Sequence, residues 1–422
     1  MASIAPFRGI RYDSSAVGDL SSVVAPPYDV ISEADRDDLE RASPHNIVRL
    51  ILGRDEPDDD ETSNRYTRAR GLLEAWLAAG VLRADDEDAF YVYEQTFVLD
   101  GERRTQRGVL GAVTLDEAGG VLPHERTYDD IVADRLELLR ATATNLDTIF
   151  CVYDGQDLAA HQAVEDTTRT TPVSRFRTPD GIEHALWAMT DPRALAAMQA
   201  VIGKATIVIA DGHHRHRTAM AYAAERRATQ GPGPWDAQLM FLVDAGRWGP
   251  ALLPIHRTVR GVGVDDAVAR LRGVFRIEDA PSDPEALAAE VAKRRIYGRT
   301  FGIHDGARAW LVTVSDKVAE REAMPRERSA AWRDLDVAVL HTFVFERLLG
   351  IADTGFAHSA REAVEAAAAD GGLAFILAPT PFEAVRAVAE AGEPMPQKST
   401  FFIPKPATGI VLRPLDGPGL PD

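Results

Sequence analysis

The sequence predicts a mixed α/β fold, and three observations carry that prediction. Strand-patterned and helix-patterned stretches alternate in both halves of the 422-residue chain. Two long apolar segments near residues 89–115 are joined by the turn Asp100-Gly-Glu, a hairpin signal. A short continuous apolar run, Thr206-Ile-Val-Ile-Ala, leads straight into a polar turn and a helix, as a buried strand would.

Taken in order, Ala25-Pro-Pro-Tyr-Asp reads as a turn, because Pro27 lacks an N–H and restricts the residue before it. Glu56 to Asn64 is a solvated acidic loop. Asn64 to Ala79 then carries Ala69, Leu72, Leu73, Trp76 and Leu77 at helical spacing. Ala89 to Leu99 and Arg107 to Leu115 are the strands of the hairpin, and Asp129 to Leu146 reads as a helix before a strand at Ile149 to Tyr153. The strand at Thr206 is followed by a helix over Thr218 to Ala228 and a turn cluster at Gln230-Gly-Pro-Gly-Pro. After a strand and helix pair between 250 and 295, Asp336 to Leu349 is an apolar helix, and Phe375-Ile-Leu-Ala and Thr400-Phe-Phe-Ile are closing strands. No internal repeat is visible. Residues 1–200 are expected to form an N-terminal half and 201–422 a C-terminal half, interleaved around one cleft.

Composition excludes several function classes. Hydrophobic residues at 45% and charged residues at 27% are ordinary globular usage, which argues against global disorder or a fibrous repeat. Lys and Arg total 47 against 65 Asp and Glu, a net charge of −18 that repels phosphate backbones and anionic lipid. No nucleic-acid or membrane partner is expected; a small anion in a locally basic pocket remains compatible. The one cysteine, Cys151, lies in an apolar run and forms no internal disulfide, which fits a reducing cytoplasm. The N-terminal residues lack a signal-peptide pattern and no apolar run reaches the ~18 residues of a spanning helix, so a cytoplasmic protein is expected.

The richest stretch is Asp211-Gly-His-His-Arg-His-Arg-Thr218. A helix that starts at a strand's end leaves its first N–H groups unpaired and points its positive dipole end at that spot. Gly212 lets a ligand approach the backbone or permits a positive φ. Asp211 can cap the helix, bind Mg²⁺ or hold a histidine tautomer, while His213, His214 and Arg215 are donors aimed at the same place. Three readings follow: a capped helix with ordinary polar residues, a transition-metal site using His213 and His216, and a phosphate-binding helix terminus with Thr218 in its first turns. The crowding of five polar residues at one strand end favours the last.

Other clusters add candidates. His124-Glu125-Arg126-Thr127 places a proton acceptor beside a donor, which suits His124 and Glu125 to general base catalysis at a hydroxyl, with Thr127 near the substrate. The alternative is a helix cap by Thr127 with Asp130. Gly392-Glu-Pro-Met-Pro-Gln-Lys-Ser-Thr is not a P-loop: Gln397 precedes the lysine and two prolines remove donors. Lys398, Ser399 and Thr400 still offer a cation and two hydroxyls at a strand's entrance, and Lys405 sits on the stiff segment Pro404-Lys-Pro. Tyr28 is a candidate stacking platform and Asp29 a candidate metal or hydroxyl ligand, or both pack the turn. Arg135 reads either as a cleft residue or as a solvated helix charge.

Asp211-Gly-His-His-Arg, followed by Thr218-Ala219, resembles the signature of the ParB/sulfiredoxin-like superfamily, whose free-serine kinases use a DGHHR element to hold nucleotide phosphates. That resemblance implies a ParB/sulfiredoxin-like phosphate-binding core with large N- and C-terminal elaborations. Pro6-Phe-Arg, Ala25-Pro-Pro-Tyr-Asp-Val-Ile, His124-Glu-Arg-Thr, Ala210-Asp-Gly-His-His-Arg and Met395-Pro-Gln-Lys-Ser-Thr-Phe-Phe-Ile-Pro-Lys-Pro resemble, in this order, the uncharacterised DUF1015 family. The expected activity is a small-molecule kinase using ATP or ADP and Mg²⁺. The kinase resemblance adds free L-serine as acceptor and O-phosphoserine as product. The alternatives are a phosphohydrolase acting on a phosphorylated metabolite such as phosphoserine, and a ParB-like nucleotide-binding module without catalysis.

Overall fold

A computed structural model of the chain describes residues 2–115 and 119–415. The fold is mixed α/β and divides into two units. The first comprises Met1–Pro123, Thr127–Pro250 and Pro404–Asp422; the second comprises His124–Arg126 and Ala251–Ile403. The border expected at 200/201 instead falls inside the first unit, within the helix Pro192–Ile202. The motifs are regrouped accordingly: Asp211-Gly-His-His-Arg joins Tyr28 and Asp29 in the first unit, and His124-Glu125 joins Lys398-Ser-Thr in the second.

The first unit is built on a nine-stranded mixed sheet. Its strands are β1 (Ile4–Ala5), β2 (Phe90–Leu99), β3 (Glu102–Thr114), β4 (Val121–Leu122), β5 (Ile149–Tyr153), β6 (Ser174–Arg177), β7 (Glu183–Met189), β8 (Ile207–Asp211) and β9 (Ala237–Asp244). They lie in the order β4-β8-β5-β9-β3-β2-β7-β6, with β1 against β3. The hairpin β2–β3 turns at Asp100-Gly101, where both residues take positive φ, as a tight turn between twisted strands requires. All residues of β5 and of β9 are buried, which explains why β5 reads as a continuous rather than an alternating apolar run. Cys151 is fully buried in β5, as its neighbours predict.

Three helices matter for the site: α1 (Arg65–Ala78), α2 (Asp129–Thr142) and α3 (His213–Gln230). Asn64 caps α1 by accepting from the N–H groups of Tyr66 and Thr67. Helix α2 ends four residues before the predicted Leu146, where Ala143 takes a left-handed conformation and Thr144–Asn145 pair with Arg413–Pro414. Helix α3 starts five residues before the predicted Thr218, directly after Gly212.

The second unit carries a six-stranded sheet of β10 (His256–Val259), β11 (Phe275–Ala280), β12 (Thr300–His304), β13 (Ala309–Val314), β14 (Gly355–Ala357) and β15 (Leu373–Ile376), in the order β11-β13-β12-β15-β10-β14. Its apolar helix at Asp336 continues as a π-helix over Leu340–Leu349. Among the described residues no helix is long and apolar enough to cross a membrane.

The returning C-terminal segment is fastened by polar groups. Asn145 donates to Gln238 Oε1 at 2.9 Å and accepts from the Leu239 N–H at 3.0 Å and from Arg413 at 3.3 Å. Replacing it by alanine strands buried donors and an acceptor. Asn145→Ala should lower unfolding stability by about 2–4 kcal/mol, read from the first unit's transition in urea; a change below 0.5 kcal/mol, about the size of an ordinary surface substitution, would show that the clamp is dispensable.

Candidate functional site

Between β8 and α3 the chain makes a sharp transition. The pairing of β8 with β5 shifts between Ile209 and Asp211, a bulge at Ala210 that re-aims Asp211 at the strand's end. Gly212 follows at φ 97°, a left-handed conformation, and it is the N-cap of α3 with no side-chain cap. A Cβ here would lie 2.9 Å from Arg215 Nε, so the position is restricted both in torsion and in space. Asp211 does not cap the helix. One carboxylate oxygen lies 2.5 Å from Arg215 Nη2 and the other 2.5 Å from Lys405 Nζ.

Arg215 departs most from expectation. Rather than presenting a free fork to a ligand, its side chain is 7% exposed and pairs with Asp211 and, at 3.4 Å, with Asp147. It also donates to the Thr148 carbonyl. Burial would lower its pKa, but Asp147, Asp211 and Asp29 raise it, so the guanidinium stays charged. Below it is a cavity of about 50 Å³ lined in part by Arg135, Asp147, Arg215 and Thr218, too small for a nucleotide. Thr218 is buried beside α2.

Lys405 completes the cluster. Its backbone is fixed by Gln95 and Gln106, which donate to the carbonyls of Lys405 and Pro404 at 2.9 and 3.0 Å. Thr408 and Ala25 exchange backbone hydrogen bonds nearby, which holds the Pro-Pro-Tyr-Asp turn alongside. The ammonium reaches Asp29 at 3.3 Å as well as Asp211. Burial opposes charge on Lys405, yet the two carboxylates raise its pKa; burial likewise opposes charge on Asp29, and Lys405 and Arg215 hold its carboxyl below the usual range. Burial raises the Asp147 carboxyl despite Arg215 and Arg135. Arg135 is a packed residue and not a solvated one: it lies 4.4 Å from the centre of the Tyr28 ring and donates to the Ile51 carbonyl at 2.6 Å. Burial pushes the Tyr28 phenol up to about 12.

The histidines separate by environment. His214 Nε2 accepts from the Tyr128 N–H at 3.0 Å and its ring stacks on Tyr128 at 5.8 Å, so the ring is neutral with its proton on Nδ1. Burial lowers its pKa in keeping with that state. His213 is buried in the first turn, and burial lowers His216 to about 4. Thr127 is not the cap of α2; Tyr128 is, without a side-chain bond, and Thr127 instead accepts from Arg217 at 3.0 Å.

The sequence offers Asp211 as a Mg²⁺ ligand, and its surroundings do not fit that role, since both carboxylate oxygens are paired with cations of the chain. Among the described residues no three His, Cys, Asp or Glu side chains converge as a metal site, which also disposes of the pair His213 and His216.

In the second unit, His124 and Thr400 meet. His124 Nε2 and Thr400 Oγ1 share a hydrogen bond of 3.3 Å, and the His124 carbonyl accepts from the Met395 N–H at 2.8 Å. Ser399 donates to the Pro396 carbonyl at 2.5 Å, and Lys398 is exposed with φ 53°. Arg257, which sequence reasoning passes over, holds this turn: fully buried, it donates to the carbonyls of Gln397 and Lys398 at 3.1 and 2.8 Å and to His341 Nε2 at 2.9 Å. Asp147 was equally hidden in the sequence, although a carboxylate two residues before a buried apolar strand is a usable signal of a buried ion pair.

The model of a family described as "Protein of unknown function (DUF1015)" matches residues 4–338. The chain belongs to the DUF1015 family. Among solved structures, this DUF1015 chain is similar to a mutant free serine kinase in complex with ADP, at 13% identity over 70% of this chain and 87% of that one, with a TM-score of 0.33. It is also similar to a conserved hypothetical protein from Pyrococcus furiosus (12% identity, 71% and 91% coverage, TM-score 0.30) and to C-terminally truncated SbnI from Staphylococcus aureus (10%, 74% and 85%, 0.32). No protein of curated function matches the sequence. These structural overlaps are slight, so the functional reading rests on the chain's own residues.

Lys405 offers a direct test of the cluster. Because its folded pKa is raised, its contribution is fully present below the ordinary lysine range and is lost as pH rises through the folded value. Lys405→Met should cost about 2–4 kcal/mol with no change in that deficit from pH 6 to 9, measured by denaturant titration. A deficit that disappears within that window would contradict the raised pKa.

Proposed function

We propose that the chain is a nucleotide-dependent phosphotransferase acting on a small hydroxy metabolite, with free L-serine as acceptor and ATP or ADP as phosphate donor. The observation that carries this reading is the entry to α3. An 18-residue helix begins at a left-handed glycine with no side chain capping it, so its first N–H groups and its dipole are directed to an acceptor outside the helix. A phosphate, with several acceptor oxygens and negative charge, satisfies such a terminus. His214 adds the Nδ1–H donor that its bond with the Tyr128 N–H leaves on the ring. Lys405 supplies a fixed ammonium beside the same turn. Phosphoryl transfer asks for positioning and charge stabilisation more than covalent chemistry, and these are the resources present. Tyr28 and Asp29 border the cluster and are candidates for contact with the acceptor. Serine itself is supported by the resemblance of Asp211-Gly-His-His-Arg to the free-serine kinases.

The test is an assay of ATP or ADP with Mg²⁺ and free serine, following O-phosphoserine. Product formation is expected. His214→Ala should weaken nucleotide binding by about 10- to 100-fold, the worth of one hydrogen bond to a charged group. Phosphate released from phosphoserine without nucleotide would replace the kinase by a hydrolase. Nucleotide binding without turnover of any hydroxy metabolite would leave a binding module, and no binding of nucleotide or phosphate would overturn the site.

A further inference from the structure

The second unit holds a basic cavity that none of the motifs touches. It measures about 310 Å³ and is lined by Arg299, Lys317, Glu320, Arg321, Arg333 and Asp334, among others. That volume is in the range of sites for small ligands.

Its charge is unusual for a chain of net charge −18. Arg299, 9% exposed, is the fixed part of the wall: it pairs with Glu320, with Asp334 at 2.8 Å and with Asp336 at 2.9 Å. Asp336 is shared with Arg295, and Glu320 with Lys317 at 3.4 Å. Arg321 and Arg333 make no ion pair among the described residues; Arg333 Nε donates only to the Ser329 carbonyl, at 3.4 Å. The cavity wall thus carries four cations, Arg299, Lys317, Arg321 and Arg333, against two carboxylates, Glu320 and Asp334; the nearby Glu393 carboxyl, outside the wall, is held below the usual carboxylate range by its hydrogen bond with Ser329 and in part by Arg333. Partial burial, and after it the charge of Arg299, lower the Lys317 ammonium against the opposing pull of Asp334 and Asp336.

We propose that this cavity binds a small dianion carrying a phosphate group, held by Arg321 and Arg333 with Lys317 at its side. Guanidinium forks match phosphate oxygens in geometry as well as charge, and two arginines outside any ion pair carry the charge that one phosphate monoester needs. None of these residues belongs to the Gly212 cluster, so the proposal stands whether or not the chain is a kinase.

Hydrogen–deuterium exchange on the full chain localises the test. Inorganic phosphate and glycerol 2-phosphate are added separately, each against chloride at matched ionic strength. Protection of backbone amides over residues 317–334 is expected with phosphate. Protection by both compounds assigns the site to phosphate in general; protection by glycerol 2-phosphate alone assigns it to phosphorylated metabolites. Arg321→Ala with Arg333→Ala replaces side chains outside the ion-pair network, so the fold is kept, and should weaken binding at least tenfold. Arg321→Lys with Arg333→Lys should restore part of it. Equal protection by chloride, no protection over 317–334, or equal affinity in the alanine variant would each overturn the proposal.

Discussion

The buried charge of Arg215 is the constraint on which the first unit's site depends. A guanidinium removed from water costs several kcal/mol unless its charge and its donors are matched. Here the matching groups come from three places in the chain: Asp211 at the end of β8, Asp147 before β5, and the Thr148 carbonyl. Pairing its two terminal nitrogens fixes the start of α3 against two strands, while the buried Nε has no hydrogen-bond partner among the described residues. The same demand explains Lys405. Asp29, Asp147 and Asp211 would be three carboxylates around one arginine, and the lysine carried in by the returning C-terminal segment relieves that excess. Arg215 is thus a positioning residue. Under the proposed function, recognition of an anion then falls to the backbone of α3, to His214 and to the nearby ammonium of Lys405.

That division of labour sharpens what the acidic composition implies. A chain at −18 suggests that cations meant for a phosphate should be few and gathered together. Arg215, Lys405 and Arg135 are indeed neighbours of Tyr28 and Asp29 in one unit, but each is committed to a carboxylate, a carbonyl or a ring. Fixed N–H donors with a positive dipole end are selective for small anions at close range and add little long-range field. In the second unit, by contrast, Arg321 and Arg333 border a cavity without an ion pair among the described residues.

What the sequence makes legible is local. The hairpin at Asp100-Gly101, the capped helix from Asn64 and the buried strand before Asp211 each carry their own periodicity or turn chemistry, and each stands close to where it reads. Gly212 was legible for the same reason, since only one residue type takes φ 97° readily. The fate of Arg215 was not, because arginine in a motif looks alike whether it faces a ligand or a buried carboxylate, and its partner Asp147 lies 68 positions earlier. The division into units was hidden as well. Residues 124–126 and the return from Pro404 cross between units without any change of composition.

Arg257 shows the same physics solved in another way. No carboxylate faces it among its hydrogen-bond partners; its charge rests on the carbonyls of Ile255, Gln397 and Lys398 and on neutral His341. Carbonyl dipoles compensate a cation less fully than anions do, and burial accordingly pushes this guanidinium down to about 9, whereas that of Arg215 is raised. The consequence is structural: an arginine held by backbone carbonyls fixes backbone, and the segment it fixes ends at Lys398, a non-glycine residue at φ 53°. One face of Arg257 is anchored to Ile255 and His341, and its other amino group holds the carbonyls of Gln397 and Lys398, which fixes the backbone at that residue. Both units therefore use a buried arginine to fasten a polar turn, Arg215 at the entry to α3 and Arg257 at the carbonyls of Gln397 and Lys398.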